Sequence, residues 1–180
     1  MAKSAARIGI LGGSFNPIHN GHIFMAQAAI KALGLDQVVF VPAHCSPHKQ
    51  SRLDLASAQD RLAMVRLAIR GHTKFSVSDV EIKRGGVSYT VDTLKYFRRR
   101  YPKADLFFII GEDSSKRLSE WKDFDTISSL ASFIAVNRSQ CPVSSSQIRQ
   151  KIAGRQSIKG LTPRVVADYI QKKGLYVERD

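Results

Sequence analysis

The chain has 180 residues, 43% of them hydrophobic and 24% charged, which is enough for one compact domain with its own core. No apolar run approaches the ~20 residues of a membrane-spanning helix, and the two cysteines, Cys45 and Cys141, are too few for a disulfide framework. With 28 Lys and Arg against 15 Asp and Glu, the formal net charge is +13, a positive field that draws nucleotides and other polyanions.

The opening MAKSAARIGILGG has a short apolar stretch ending in a glycine turn, unlike a secretory signal. A cytoplasmic protein with reduced thiols and no membrane contact is expected. ARIGIL, residues 6–11, predicts a first strand. HIFMAQAAIKALG, residues 22–34, follows with a helical pattern closed by Gly34. QVVFVP, residues 37–42, is a second buried strand. A helix over Ser57–Arg70 follows from Leu62, Val65 and Ile69, with Gly71 as its C-cap. KFSVSDVEI, residues 74–82, reads as extended.

A helix is expected from Thr90 to Tyr101, where LKYFRRRY sets a basic solvated face against Leu94, Phe97 and Tyr101. That pattern does not require a nucleic-acid partner. Next come the buried strand DLFFII ending at Gly111, helical material to Trp121, and the strand ASFIAV, residues 131–136. In LTPRVVADYIQKKG, Thr162 reads as N-cap, Pro163 as the first helical residue and Gly174 as the stop. This alternation predicts an α/β protein, a Rossmann-like doubly wound and mostly parallel sheet with helices on both faces, in one domain spanning 1–180.

In such sheets ligands lie beyond the carboxyl ends of the strands, often against a helix N-terminus. Gly12 and Gly13 fall there, and Gly21 lets the chain pass close to a ligand. Neither a Walker loop nor a GxGxxG fingerprint occurs in this turn, so an anion held here also needs side chains. His19 and His22 share one face at i, i+3. Their alternatives are a zinc pair, for which an i+4 spacing or an added carboxylate is more familiar, and inert capping histidines.

The stretch GGSFNPIHNGH, residues 12–22, resembles the GxFxPxHxGH signature of nucleotidyltransferases. With VPAHCSPHK (41–49), VSYTVDTL (87–94), IIGEDSSKRLSEWKDF (109–124), VSSSQIR (143–149) and the C-terminal LTPRVVADYIQKKGLY, it is similar in order and spacing to the bacterial nicotinate-nucleotide adenylyltransferase family over nearly the whole chain. The resemblance implies transfer of AMP from ATP to nicotinic acid mononucleotide, with Mg²⁺ bound through the ATP phosphates. It implies catalytic roles for His19, His22 and Arg149. ATP would lie on Gly12, Gly13, Ser14, Phe15, Gly111, Asp113, Ser145 and Ser146. The acceptor would meet Lys49, Thr90, Val91, Trp121 and Lys122, with His48 as a site-shaping neighbour.

The chain departs from the family pattern between Arg138 and Val143, where only SQCP stands in place of a longer stretch, and Ser146 replaces a threonine. The oligomeric state stays open at this point. So do two other readings: adenylyl transfer to nicotinamide mononucleotide, which comparison of acid and amide acceptors would separate, and an inactive RNA-binding paralogue, which would show salt-sensitive RNA affinity without ATP turnover.

Overall fold

In a computed structural model describing residues 5–47, 56–116 and 118–177, the strands β1 (Arg7–Gly13), β2 (Gln37–Pro42) and β3 (Phe75–Val77) lie side by side. The chain then crosses back to set β4 (Asp105–Gly111) and β5 (Ser132–Val136) on the far side of β1. All pairings are parallel, and Ile10 stands opposite Val39 on one side and Phe108 on the other. Strand order β3-β2-β1-β4-β5 reverses between β1 and β4, so their carboxyl ends, Gly12–Gly13 and Gly111, flank the crevice where open α/β sheets bind ligands.

Period-two alternation divides the apolar residues between two layers. Leu11, Val38, Phe40 and Ile109 pack under α1 (Asn20–Leu33), α2 (Ala58–Ala68) and α8 (Arg164–Lys173). Ile8, Ile10, Val39, Leu106 and Phe108 pack under α4 (Thr90–Arg100) and α6 (Phe124–Leu130). Helix α1 ends as the sequence predicts, with Gly34 in the left-handed conformation and its N–H on Ile30 O.

Three local expectations change. KFSVSDVEI is not extended throughout: β3 stops at Val77, and α3 (Val80–Arg84) follows. The ladder on Val38–Phe40 runs out there, Ser78 N–H closes it on Phe40 O, and Lys83 N–H turns back to Asp79 O. Gly71 is not the cap of α2, which ends at Ala68 with Ile69 as C-cap; Gly71 serves the next turn at φ +88°. Thr162 is not the N-cap of α8. Its buried hydroxyl donates to Ile18 O at 2.8 Å, and Pro163 takes the cap position. Burial beside another segment's carbonyl outweighs the local preference. The helical material before Trp121 is two short pieces, α5 (Glu112–Ser115) and a 3₁₀ turn at Leu118–Glu120. The Ser-rich segment begins α7 (Ser145–Ala153).

Candidate active site

Beyond the end of β1 the chain makes a tight turn before α1. Phe15 sits at φ +47°, a conformation costing about 1–2 kcal/mol for a residue with a side chain. Its ring is buried between Phe40 and the edge of His22, at centroid distances of 5.9 and 4.9 Å, so Phe15 can offer the turn only its backbone. His19 is the extended N-cap residue of α1 and His22 its third residue. Their rings stack at 3.7 Å with an interplanar angle of 28°. The His19 N–H donates to His22 Nδ1 at 3.2 Å, so in neutral His22 the proton sits on Nε2, which is left as the donor.

His19 is 2% exposed, and its Nδ1 has no hydrogen-bond partner among the described residues. Burial, assisted by the Arg138 guanidinium, lowers its pKa to about 4. The two rings sit at a helix N-terminus that carries partial positive charge, where the Asn20 N–H is already spent on Leu161 O and the His22 and Ile23 amides turn back to His19 O. The intervening Gly21 has a steric reason: a Cβ there would stand 3.0 Å from His19 Nδ1 and 3.2 Å from Cys141 O.

Beside the turn lies a cavity of about 380 Å³ lined by Gly12, Gly13, Ser14, Ala43, Glu81, Ser88, Tyr89, Thr90, Phe108, Trp121 and Lys122, among others. Trp121 meets the edges of Phe108 and Phe133 at 5.9 and 6.3 Å. It is thus both core and cavity wall. Lys122 Nζ lies 4.2 Å from the centroid of Tyr89, a cation–π contact that holds the ammonium at the wall. Thr90 and Val91 open α4; the Val91 side chain is buried, so it can present only its first-turn amide, while half-buried Thr90 lines the cavity.

Glu81 is 6% exposed and accepts a short hydrogen bond from the Thr93 hydroxyl. Burial raises its pKa against the opposing hydrogen bonds of Thr93 and Ser88.

A second cavity, about 300 Å³, lies between the ends of β4 and β5 and the start of α7. Asp113 and Arg138 pair across it at 2.8 Å, and Arg138 also covers Gly111. Ser145 and Arg149 face the His19 turn from α7. The Ser145 hydroxyl donates to Pro17 O at 2.9 Å and Arg149 Nη1 to Asn16 O at 2.9 Å. Ser146 is exposed on the same first turn. Residues scattered over the sequence, His19, His22, Ser145 and Arg149, are thus brought together. Lys49 and His48 lie outside the described residues.

Of the residues that join this region only in the folded chain, Glu81, Ser88 and Arg138 carry no local signal of it. Only Arg61 left a trace, as a charge on the helix face that also carries Leu62 and Val65.

A family model described as cytidylyltransferase-like matches residues 10–151, the class that this open sheet and its histidine-bearing turn define. Relatives named "Probable nicotinate-nucleotide adenylyltransferase" include one from Citrifermentans bemidjiense, 38% identical across 96% of this chain and 99% of its own. Another, from Halalkalibacterium halodurans, is 40% identical across 94% and 91%. The chain belongs to the nicotinate-nucleotide adenylyltransferase family.

Alignment to the Citrifermentans relative runs over 214 positions against 180 residues here, so that relative carries additional residues. The fold is shared with a Vibrio parahaemolyticus structure at TM-score 0.79, with 24% identity and 97% of each chain covered. It is also shared with Plasmodium falciparum nicotinic acid mononucleotide adenylyltransferase complexed with NaAD, at TM-score 0.76 and 20% identity over 95% and 97% of the two chains. No helix among the described residues is long and apolar enough to cross a membrane.

Proposed function

We propose that the chain, in the cytoplasm, transfers AMP from ATP, taken as its magnesium salt, to nicotinic acid mononucleotide, yielding nicotinic acid adenine dinucleotide and pyrophosphate. One juxtaposition carries the reading: the stacked His19–His22 pair on the α1 N-terminus opens beside the cavity walled by Tyr89, Trp121 and Lys122.

In the proposed reaction an oxygen of the acceptor's phosphate attacks the α-phosphorus of ATP. The bond from that phosphorus to the bridging oxygen breaks, and pyrophosphate leaves. A phosphate monoester has a second pKa of about 6, so the nucleophile is already largely dianionic at neutral pH and needs no general base. What remains is to align two anions and to stabilise charge moving onto the leaving group.

His22 Nε2–H, Ser145, Ser146 and Arg149 are the donors for the phosphates, at the positive end of the α1 dipole. Gly12, Gly13, Ser14 and Phe15 supply backbone beneath them. These donors are neutral or cationic, which fits a Mg²⁺ carried by the phosphates and sharing their charge. Gly111 and Asp113 flank the adenosine. Trp121 would stack on the pyridine ring, with Thr90, Val91, Lys122 and Lys49 toward the acceptor's anionic groups.

The test is pyrophosphate release with ATP, Mg²⁺ and either the acid or the amide mononucleotide, beside His22→Ala. Faster release with the acid, reduced on the order of 10²-fold in the variant, supports the reading. Preference for the amide, or release from neither acceptor, overturns it.

A further inference from the structure

Arg61 is a charged residue in the core, 4% exposed, and no carboxylate among the described residues pairs with it. Its fork is spent on backbone carbonyls instead. Nε donates to Ala56 O at 3.1 Å, Nη1 to Ser14 O at 2.8 Å and to Ala43 O at 2.6 Å, and Nη2 to His44 O at 2.8 Å. These carbonyls belong to three separate stretches: the turn after β1, the loop after β2 and the approach to α2.

A trans peptide points its N–H opposite its C=O, so each captured carbonyl fixes the direction of the next amide. Ser14 O is the carbonyl immediately before Phe15, the residue held at φ +47°. The Phe15 amide is thereby turned away from the guanidinium. In the second loop the arrangement is visible on both sides: Ala43 O accepts from Arg61 while His44 N–H donates to Ser88 Oγ at 3.0 Å. Ser88 N–H returns to Cys45 O at 2.8 Å, two residues before α4 begins. Ala56 closes the circuit, since its N–H donates to Asn16 Oδ1 at 2.9 Å. One side chain thus links the turn before the histidines to the loop that walls the neighbouring cavity.

We propose that Arg61 is a positioning residue for adenylyl transfer, setting from beneath the relative placement of the Ser14–Asn16 turn and the Ala43–Cys45 loop so that the two substrate regions meet in reactive register. The inference rests on the proposed function. Its physical basis is that two loops without regular structure gain a shared rigid reference, which only a planar fork with several diverging N–H groups can supply. A lysine keeps the charge but cannot reach three stretches at these angles.

The experiment compares wild type, Arg61→Lys and Arg61→Ala in the pyrophosphate-release assay, with kcat and KM for each substrate and a thermal melt of each protein. Misplacing reacting groups lowers kcat more than it weakens binding. Arg61→Lys is therefore expected to melt as a folded protein with kcat reduced at least about tenfold and both KM values within about threefold of wild type. Methylguanidinium, but not ethylammonium, should restore part of the activity of Arg61→Ala.

A folded Arg61→Lys with wild-type kcat overturns the proposal, and so does loss of activity that tracks melting without guanidinium rescue. Failure of both variants to fold assigns Arg61 to stability alone and overturns it too. An inactive wild type refutes the proposed function itself, a result distinguishable from all of these.

Discussion

Acidification should cost this fold stability through one side chain. His19 is 2% exposed, and its pKa falls from 6.5 to about 4 because burial and the facing Arg138 guanidinium oppose an imidazolium. The unfolded chain therefore takes a proton at this residue near pH 6.5, whereas the folded chain resists until about pH 4. Stability is intact above the first value, is lost as pH falls between the two, and changes no further from this source below the second. The full gap corresponds to about 3 kcal/mol, of which roughly 2 kcal/mol is lost by about pH 5.

The assay is urea unfolding followed by Trp121 fluorescence from about pH 7.5 to about pH 5, on wild type and His19→Asn. Other groups titrate in both proteins, so the quantity of interest is the difference between the stability that wild type and variant lose over this pH range, expected near 2 kcal/mol. Parallel curves would refute the reasoning, as would an NMR titration placing His19 near its ordinary value.

His22→Asn separates capping from catalysis: an amide oxygen can replace Nδ1 as acceptor for the His19 N–H, but nothing replaces Nε2–H. Its melting temperature should stay close to wild type while kcat falls on the order of 10²-fold. Gly21→Ala favours the helix by up to about 1 kcal/mol in propensity yet sets a methyl 3.0 Å from His19 Nδ1. Activity should fall with no matching loss in the melt, and unchanged turnover would show that the ring shifts harmlessly. For Lys122→Met, KM for the acid acceptor should rise up to about tenfold while the amide's KM stays level; an equal rise for both would place Lys122 in packing alone.

The sheet was legible because its strands are short β-branched runs set between glycines, and QVVFVP at 37–42 matches β2 residue for residue. The histidine turn was legible as well, through residue types at a fixed local spacing. Local rules failed where a partner came from far along the chain. Thr162 looks like a cap but serves Ile18, at a separation of 144 residues. Val80–Arg84 looks extended but turns helical once the strand ladder ends, with Glu81 reaching Thr93.

The stacking of the two imidazoles, the depressed pKa of His19, the inward placing of Lys122 against Tyr89 and the capture of four carbonyls by Arg61 arise from tertiary structure alone. By itself the sequence determined the alternation of strands and helices and the donors in the first turn, since propensity, periodicity and capping act over a few residues. Which groups lose water, and which carbonyl each donor meets, is set by contacts between segments tens to more than a hundred residues apart, and desolvation and hydrogen-bond geometry exist only once those segments have packed.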